Sequence, residues 1–235
     1  MALTIGSNIS SLKAQRTLAI SSDALARTYE RLSSGQRINR ASDDAAGLAI
    51  ADSLKANARI ASVAVRNAND GISTIAIADS ALNEVGNVLT RLAELSEQSA
   101  NGVFSTTQRS ALQNEFTALG SEIERIAFTT EFNGVKLLSG GAELVLQVGF
   151  NSGSTSRISF NGVQGTLAAL GLANPNTSSL SFSISGSNIS EGQSASRLAL
   201  DAINIAISSL ASTRGILGAT ESRLQVAINN LGVAR

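Results

Sequence analysis

The stretch Ile72–Leu95, "ISTIAIADSALNEVGNVLTRLAEL", indicates the class of fold because its apolar residues recur in alternating steps of three and four. The row consists of Ile75, Ala78, Leu82, Val85, Leu89 and Leu92. Such a row is typical of the seam of a coiled-coil-like helix. The helix is expected to run to about Asn101. Ser42 is its predicted N-cap, with Asp43 and Asp44 in the first turn, where carboxylates interact favourably with the helix dipole.

A second helix is predicted to pack antiparallel to the first, because only the short loop "NGVF" separates them. It starts with a capping box formed by Ser105 and Gln108. Its apolar seam again runs in steps of four and three: Leu112, Phe116, Leu119, Ile123 and Ile126. Each fully buried Leu or Ile contributes roughly 1.5–3 kcal/mol, so two facing seams of this length can hold a rod together.

Two further helices lie near the ends of the chain. One covers Ile5–Leu32 and is expected to end at Gly35 in a left-handed cap. The other begins at about Ser194, and its seam is Ile203, Ile207, Leu210, Arg214, Leu217, Glu221, Leu224, Ile228 and Leu231. This pattern is still in register at Arg235, so we expect the last helix to be cut by the end of the chain.

Between the helices, a small β region is predicted by alternation of apolar and polar residues. Its turns are expected at Asn133-Gly134, at Gly140-Gly141 and in the "ANPN" stretch. Alternation around Leu144, in "SRISF" and in "SLSFSIS" predicts short strands. The predicted fold is therefore mainly α, an elongated antiparallel helical bundle or coiled-coil rod with a small β-hairpin lobe. Its predicted parts are an N-terminal helical segment (1–42), a helical rod domain (43–134 and 186–235) and a β lobe (135–185).

Composition restricts the chemistry that the chain can perform. It contains no histidine and no cysteine, which excludes a thiolate nucleophile, a histidine base and a zinc site with His or Cys ligands. Its 18 basic and 18 acidic residues balance, which argues against nucleic-acid binding. The sequence contains no run of about twenty apolar residues, which a membrane-spanning helix would need, and no secretory signal pattern is visible. We therefore predict a protein that is not an enzyme, with no catalytic residue, cofactor, metal, nucleic-acid or membrane partner.

Long stretches of the chain resemble bacterial flagellin. They include "RLSSGQRINRASDDAAGLAIADSL", "FTALGSEIERIAFTTEFNGVKLLSG" and "LGATESRLQVAINNL", in this order. The resemblance implies a subunit that polymerises into the flagellar filament used for swimming. In that family the terminal helices pair along the filament channel, so a further C-terminal segment is implied here. A hook–filament junction protein is the alternative. The inserted protease domain of some flagellins needs a His-Glu-x-x-His motif, which a chain without histidine cannot contain.

The resemblance implies other flagellin subunits, the flagellar cap and hook-junction proteins as partners. It also implies an extracellular location in the flagellum, reached through the export channel without a cleaved signal peptide. The residues predicted at the subunit interface are Ile5, Ile9, Leu12, Arg37, Arg40, Asp43 and Asp44. The three apolar residues lack a partner in the chain. Residues 1 to about 40 are therefore expected to be disordered in isolation and to order only against neighbouring subunits or a partner. The four charged residues are expected to form salt bridges, within the chain or between subunits.

The resemblance also implies recognition by a Toll-like innate immune receptor. The matching positions are Arg91, Leu95 and Gln98 on the second helix and Glu115 on the third. Ala93 departs from the pattern, because strongly recognised flagellins usually carry a second arginine there. The alternative that this is an ordinary helix face contacting the next subunit stays open.

Overall fold

The computed structural model describes residues 8–139, 143–160, 163–174 and 179–233, and it divides into two compact units, residues 1–59 (unit 1) and 60–235 (unit 2). The helices are α1 (Ile9–Ser34), α2 (Ala45–Ala100), α3 (Thr106–Thr129) and α4 (Ile189–Val233). The strands are β1 (Glu131–Phe132), β2 (Val135–Lys136), β3 (Leu144–Gln147) and β4 (Arg157–Phe160), with a short 3-10 turn at Ser154–Ser156. The mainly α fold class is confirmed.

In unit 1, both ends of α1 are capped. The Asn8 side chain accepts a hydrogen bond from Ser11 N at 3.1 Å, and Gly35 follows the helix with a φ of 66°. The left-handed cap predicted at Gly35 is therefore confirmed.

The predicted start of α2 is wrong by a few residues. Asp43 N donates to Arg40 O at 2.9 Å and closes a turn over residues 40–43. Ser42 lies inside this turn, which precedes the helix. Helix α2 begins at Ala45, and Asp44 is its cap, because the Asp44 side chain accepts from Gly47 N at 2.9 Å. Ser42 is thus not the N-cap, and Asp43 and Asp44 both precede the first turn.

In unit 2, α3 and α4 run antiparallel to α2. Along α4, Leu210 lies beside Gly86 and Leu224 lies beside Gly71, so the two helices pass each other in opposite directions. The predicted seams form the core, which is buried at these positions: Ile75, Ala78, Leu82, Val85, Leu89, Leu92, Phe116, Ile123, Ile203, Leu210, Leu217 and Leu224. All of these side chains are aliphatic except that of Phe116, so the core consists mainly of interdigitated Leu, Ile and Ala.

Local sequence signals explain the connections of α3. The capping box is present as predicted, with Gln108 N donating to Ser105 Oγ at 3.3 Å and Ser105 N donating to Gln108 Oε1 at 2.9 Å. After α3, strands β1 and β2 pair antiparallel through Asn133 and Gly134. Both residues have positive φ, 49° and 78°, which is the conformation that a two-residue hairpin turn needs.

The β region contains one strand fewer than predicted. Strands β3 and β4 pair antiparallel in the register Leu144↔Phe160 to Gln147↔Arg157, and β4 packs against α4. The strand predicted in "SLSFSIS" is wrong, because that stretch contributes only an isolated bridge between Ala173 and Leu180. The turn predicted at Gly140-Gly141 and the second half of the "ANPN" turn lie outside the described residues. Within the described part of the chain, no helix has the length and apolarity needed to cross a membrane.

Candidate interaction surfaces

The joint between α1 and α2, residues 35–44, is organised around the carboxylate of Asp43. Its Oδ2 accepts from the backbone N–H groups of Asn39 and Arg40, each at 3.4 Å, and Arg31 lies 3.7 Å from Oδ1. The Asn39 N–H bond lowers the pKa of Asp43 below its ordinary value, assisted by the Arg40 N–H and by the charges of Arg31 and Arg27. The ionised form of Asp43 is therefore the one that these contacts in the joint stabilise.

A second set of contacts ties the joint back to α1. Arg40 Nε donates to Glu30 Oε1 at 2.9 Å, and Asn39 Nδ2 donates to the Glu30 carbonyl at 3.3 Å. Arg37 is exposed and forms no ion pair with a described residue. Of the four charged residues predicted at the subunit interface, Arg40 and Asp43 form hydrogen bonds and ion pairs within unit 1, and Asp44 caps helix α2. Arg37 is left available to a partner.

Helix α1 presents uncovered apolar side chains on two opposite sides. It contains no buried residue in its 26 residues. Ile9 is 62% exposed and Leu12 is 59% exposed. The other large apolar residues of α1 that are exposed are Leu18, Ile20, Leu25, Tyr29 and Leu32. Ile5, also predicted at the interface, lies outside the described residues.

The α2–α3 surface of unit 2 carries the predicted receptor residues. Arg91 donates to Glu115 through Nε at 2.9 Å and through NH1 to Glu94 at 2.9 Å. These bonds, with the Glu94 bond the stronger influence, raise the pKa of Arg91 above its ordinary value. About half of the Arg91 and Glu115 side chains remains exposed, so a partner can reach the pair that links the two helices.

The structure separates Leu95 from the other predicted receptor residues. Leu95 is wholly buried in the core, whereas Gln98 is exposed one turn further along α2. Ala93 is partly buried and packs against the core. Arg91, Gln98 and Glu115 therefore share the accessible surface, and Leu95 supports it from beneath without being accessible itself.

Sequence reasoning missed Arg109, which is completely buried at the start of α3. Its Nε donates to Ser99 O at 2.8 Å, and its NH2 donates to Asn101 O at 2.8 Å. A signal was present, because Arg109 precedes Leu112 by three residues and so continues the α3 seam toward its N-terminus. The seam register could have indicated that this arginine faces the core.

Glu124 is a second missed polar residue. It is 7% exposed, and its Oε1 accepts from Leu167 N at 3.0 Å while its Oε2 has no partner among the described residues. Glu124 thus ties α3 to residues 163–174 of the β lobe. It lies off the α3 seam, so the sequence pattern carried no sign of its burial.

A groove of about 810 Å³ lies between α2 and α3 and favours an apolar contact over chemistry. Its floor includes Ile77, Ala81, Val88 and Ile126. At its edge Arg125 binds Glu122 and Lys136 binds Glu131, whereas Glu84 accepts a hydrogen bond from Asn87. Among the described residues, no group of Asp or Glu could hold a metal ion.

Residues 5–143 match the bacterial flagellin N-terminal helical region, which is more than half of the chain. The chain belongs to the bacterial flagellin family.

Similar curated proteins come from Vibrio. Polar flagellin F of Vibrio parahaemolyticus is 50% identical over 159 residues, which cover 67% of this flagellin chain and 42% of that protein. Flagellin B of Vibrio anguillarum is 45% identical over 172 residues, which cover 73% of this chain and 46% of that protein. The aligned region thus spans slightly less than half the length of these relatives.

Solved structures give the same fold. Bacillus cereus flagellin superposes with a TM-score of 0.57 at 25% identity, covering 71% of this chain and 88% of that one. A putative flagellar hook-associated protein from Vibrio parahaemolyticus superposes with a TM-score of 0.62 over 82% of this chain and 94% of that one. At 15% identity, the second likeness concerns the fold alone.

Proposed function

We propose that this chain is a structural subunit of the flagellar filament that assembles through the uncovered apolar side chains of α1. The observation that carries the proposal is that α1 buries none of its residues, although it displays large apolar side chains on two opposite sides. One side carries Ile9, Leu12 and Ile20, and the other carries Leu18, Leu25 and Leu32. Exposed apolar surface of this extent marks an interaction site. Each Leu or Ile covered on assembly contributes roughly 1.5–3 kcal/mol.

The occupants of that surface are other flagellin subunits, with the flagellar cap and hook-junction proteins as partners at the two filament ends. The polar joint gives the contact its geometry, because Asp43 fixes the chain direction after α1 and Arg37 remains free to pair with a neighbour. The protein works outside the cell in the flagellum and is exported through the flagellar channel without a cleaved signal peptide. It performs no catalysis and needs no cofactor, nucleic acid or membrane.

Seeded polymerisation tests this proposal. Fluorescently labelled chain is mixed with short filament fragments of a Vibrio flagellin, and its incorporation is counted by microscopy. Leu12→Asp places a carboxylate among the apolar side chains and should abolish incorporation. Thr17→Asp is the matched control, because five residues along a helix turn the side chain by about 140°, onto a polar strip that contains Ser10 and Thr28. Equal incorporation of the Leu12→Asp and unsubstituted chains would refute the proposal.

A hook–filament junction protein is the alternative from the same structural class. The fold likeness to a hook-associated protein is compatible with it. The sequence favours a filament subunit, since the similar relatives at 45–50% identity are flagellins. Immunogold labelling separates the two, because a filament subunit decorates the whole filament and a junction protein decorates its base.

A second candidate function is recognition by a Toll-like receptor. The observation that favours it is the exposed Arg91–Glu115 pair, which links α2 to α3 and presents an arginine at a helix–helix surface. Arg91→Ala should weaken receptor binding about tenfold, on the order of 1–2 kcal/mol. Arg125→Ala is the control, since Arg125 is also exposed and paired with a glutamate. If the Arg91 and Arg125 variants bind alike, Arg91 has no special role in the contact.

A further inference from the structure

Arg109 is a buried cation with no carboxylate partner among the described residues. Its side chain is completely buried, and none of the ion pairs in the described part of the chain includes it. A guanidinium loses favourable hydration when it is buried, so the protein must supply compensating contacts. The end of a neighbouring helix supplies contacts to two of its three guanidinium nitrogens, Nε and NH2, whereas NH1 has no partner among the described residues.

The compensating groups are carbonyls at the C-terminal end of α2. Arg109 Nε and NH2 each donate at 2.8 Å, to the Ser99 and Asn101 carbonyls respectively. The last carbonyls of a helix have no partner in the helix and carry its partial negative charge. Gln193 of α4 binds the same helix end, because its Nε2 donates to Ala100 O at 3.3 Å. The end of α2 therefore serves as the counter-charge of Arg109.

Helix α4 also packs on the stem of Arg109. A Cβ added to Gly192 would lie 2.9 Å from Arg109 Cδ, so a residue without a side chain is needed at that point of α4. Three helices thus meet on one arginine. Because its guanidinium is planar and its donors have fixed directions, Arg109 can reach both carbonyls at a single offset between α2 and α3.

We infer that Arg109 is a positioning residue that fixes the register of α3 against α2 and thereby holds Glu115 opposite Arg91. Glu115 follows Arg109 by six residues on α3, and Arg91 precedes Ser99 by eight residues on α2, so both are carried by rigid helix. A slip of one residue would move Glu115 by about 1.5 Å along α3 and turn it by about 100°. The 2.8 Å contact between Arg91 and Glu115 could not persist after such a slip. This role goes beyond the proposed function and concerns the isolated chain, whether or not it assembles or binds a receptor.

Double electron–electron resonance on the full chain tests the inference. The sequence contains no cysteine, so spin labels attach only to the substitutions Glu97→Cys and Ala111→Cys, at exposed positions on α2 and α3. The unsubstituted Arg109 background should give a narrow distance distribution. Arg109→Met should broaden or shift it, and Arg109→Lys should do so to a smaller extent, because lysine keeps the charge but loses the planar fork.

Leu224→Ala in the same labelled chain is the control for a general loss of stability, since Leu224 is buried beside Gly71, far along α2 from Ser99. It should lower the Tm and leave the distance distribution narrow. The inference is overturned if the folded Arg109 variants keep the distribution of the unsubstituted chain, or if Leu224→Ala broadens it equally. If Arg109→Met fails to fold, Arg109→Lys replaces it in the comparison with Leu224→Ala. A distribution broader in Arg109→Lys than in Leu224→Ala supports the inference, and equal distributions overturn it.

Discussion

Two glycines inside helices should respond with opposite signs to the same substitution. Gly218 in α4 faces open space, because an added Cβ would meet no atom within 4 Å. Gly120 in α3 is covered, because an added Cβ would lie 2.3 Å from Leu180 Cδ1 and 2.6 Å from Leu180 Cγ. Gly218→Ala and Gly120→Ala therefore form a matched pair in which only the surroundings differ.

The expected sizes follow from two opposing effects. Alanine stabilises a helix interior by roughly 0.5–1 kcal/mol relative to glycine, and this gain applies to both variants. At Gly120 the whole Leu180 side chain must move, since its Cγ is also too close, and overpacking of this kind costs about 1–3 kcal/mol. A separation of 2.3 Å is far inside van der Waals contact, so we expect the upper part of that range. For a chain of this size, 1 kcal/mol shifts the Tm by roughly 2–4 °C.

Thermal unfolding followed by circular dichroism at 222 nm measures both variants. Gly218→Ala should raise the Tm by about 1–4 °C, whereas Gly120→Ala should lower it by about 2–8 °C. An equal rise in both variants would show that residues 179–185 do not cover α3 as described, and the packing argument would fail.

Three further predictions have defined outcomes. Leu224→Ala should cost about 2–5 kcal/mol in urea unfolding because its side chain is wholly buried, whereas Val226→Ala, 65% exposed, should cost less than about 0.5 kcal/mol. Ser105→Ala should lower the free energy of unfolding by about 1 kcal/mol, because it removes the capping box of α3. Ser121→Ala, at an exposed position of the same helix, should cause no measurable loss. Because the pKa of Asp43 is lowered, its contribution to the joint is complete above the ordinary Asp range and is lost as pH falls through the lowered value. The Asn39 amide resonance should report this titration, and Asp43→Asn should remove it; an unchanged titration in that variant would exclude Asp43 as its source.

Spacing in the sequence was sufficient to predict the core of unit 2. Leu82, Leu89 and Phe116 are buried because a helix repeats its faces every three to four residues, and this rule does not depend on the partner. The capping box at Ser105 and the hairpin turn at Asn133 were predictable for the same reason, since each is decided by a few adjacent residues.

Contacts between distant residues explain where the predictions were wrong. The serine-rich stretch 179–185 alternates like a strand, but Gln113 accepts from Ile184 N at 2.7 Å, and Ser99 and Ser196 both donate to Ile184 O. These side chains take the backbone groups that a strand would need. Leu95 was grouped with exposed residues, although it follows Leu92 by three and continues the buried row.

The α2 N-cap illustrates a different difficulty. Ser42, Asp43 and Asp44 are all good capping residues, so sequence alone does not rank them. The Asn39 and Arg40 amides bind Asp43 and hold residues 40–43 in a turn, which leaves Asp44 as the cap. Which residue becomes the N-cap depends on the hydrogen bonds that Asp43 accepts from the amides of Asn39 and Arg40. Residue propensities do not contain that geometry.

Hydrogen–deuterium exchange on α1 tests the central claim most directly, because the claim is that other subunits cover its apolar side chains. In a chain verified as monomeric, the amides of residues 9–34 should exchange rapidly, since no side chain of α1 is buried. In filaments seeded from a Vibrio flagellin, the same amides should become strongly protected. Strong protection in the monomer, or exchange that stays rapid in the assembled filament, would contradict the account.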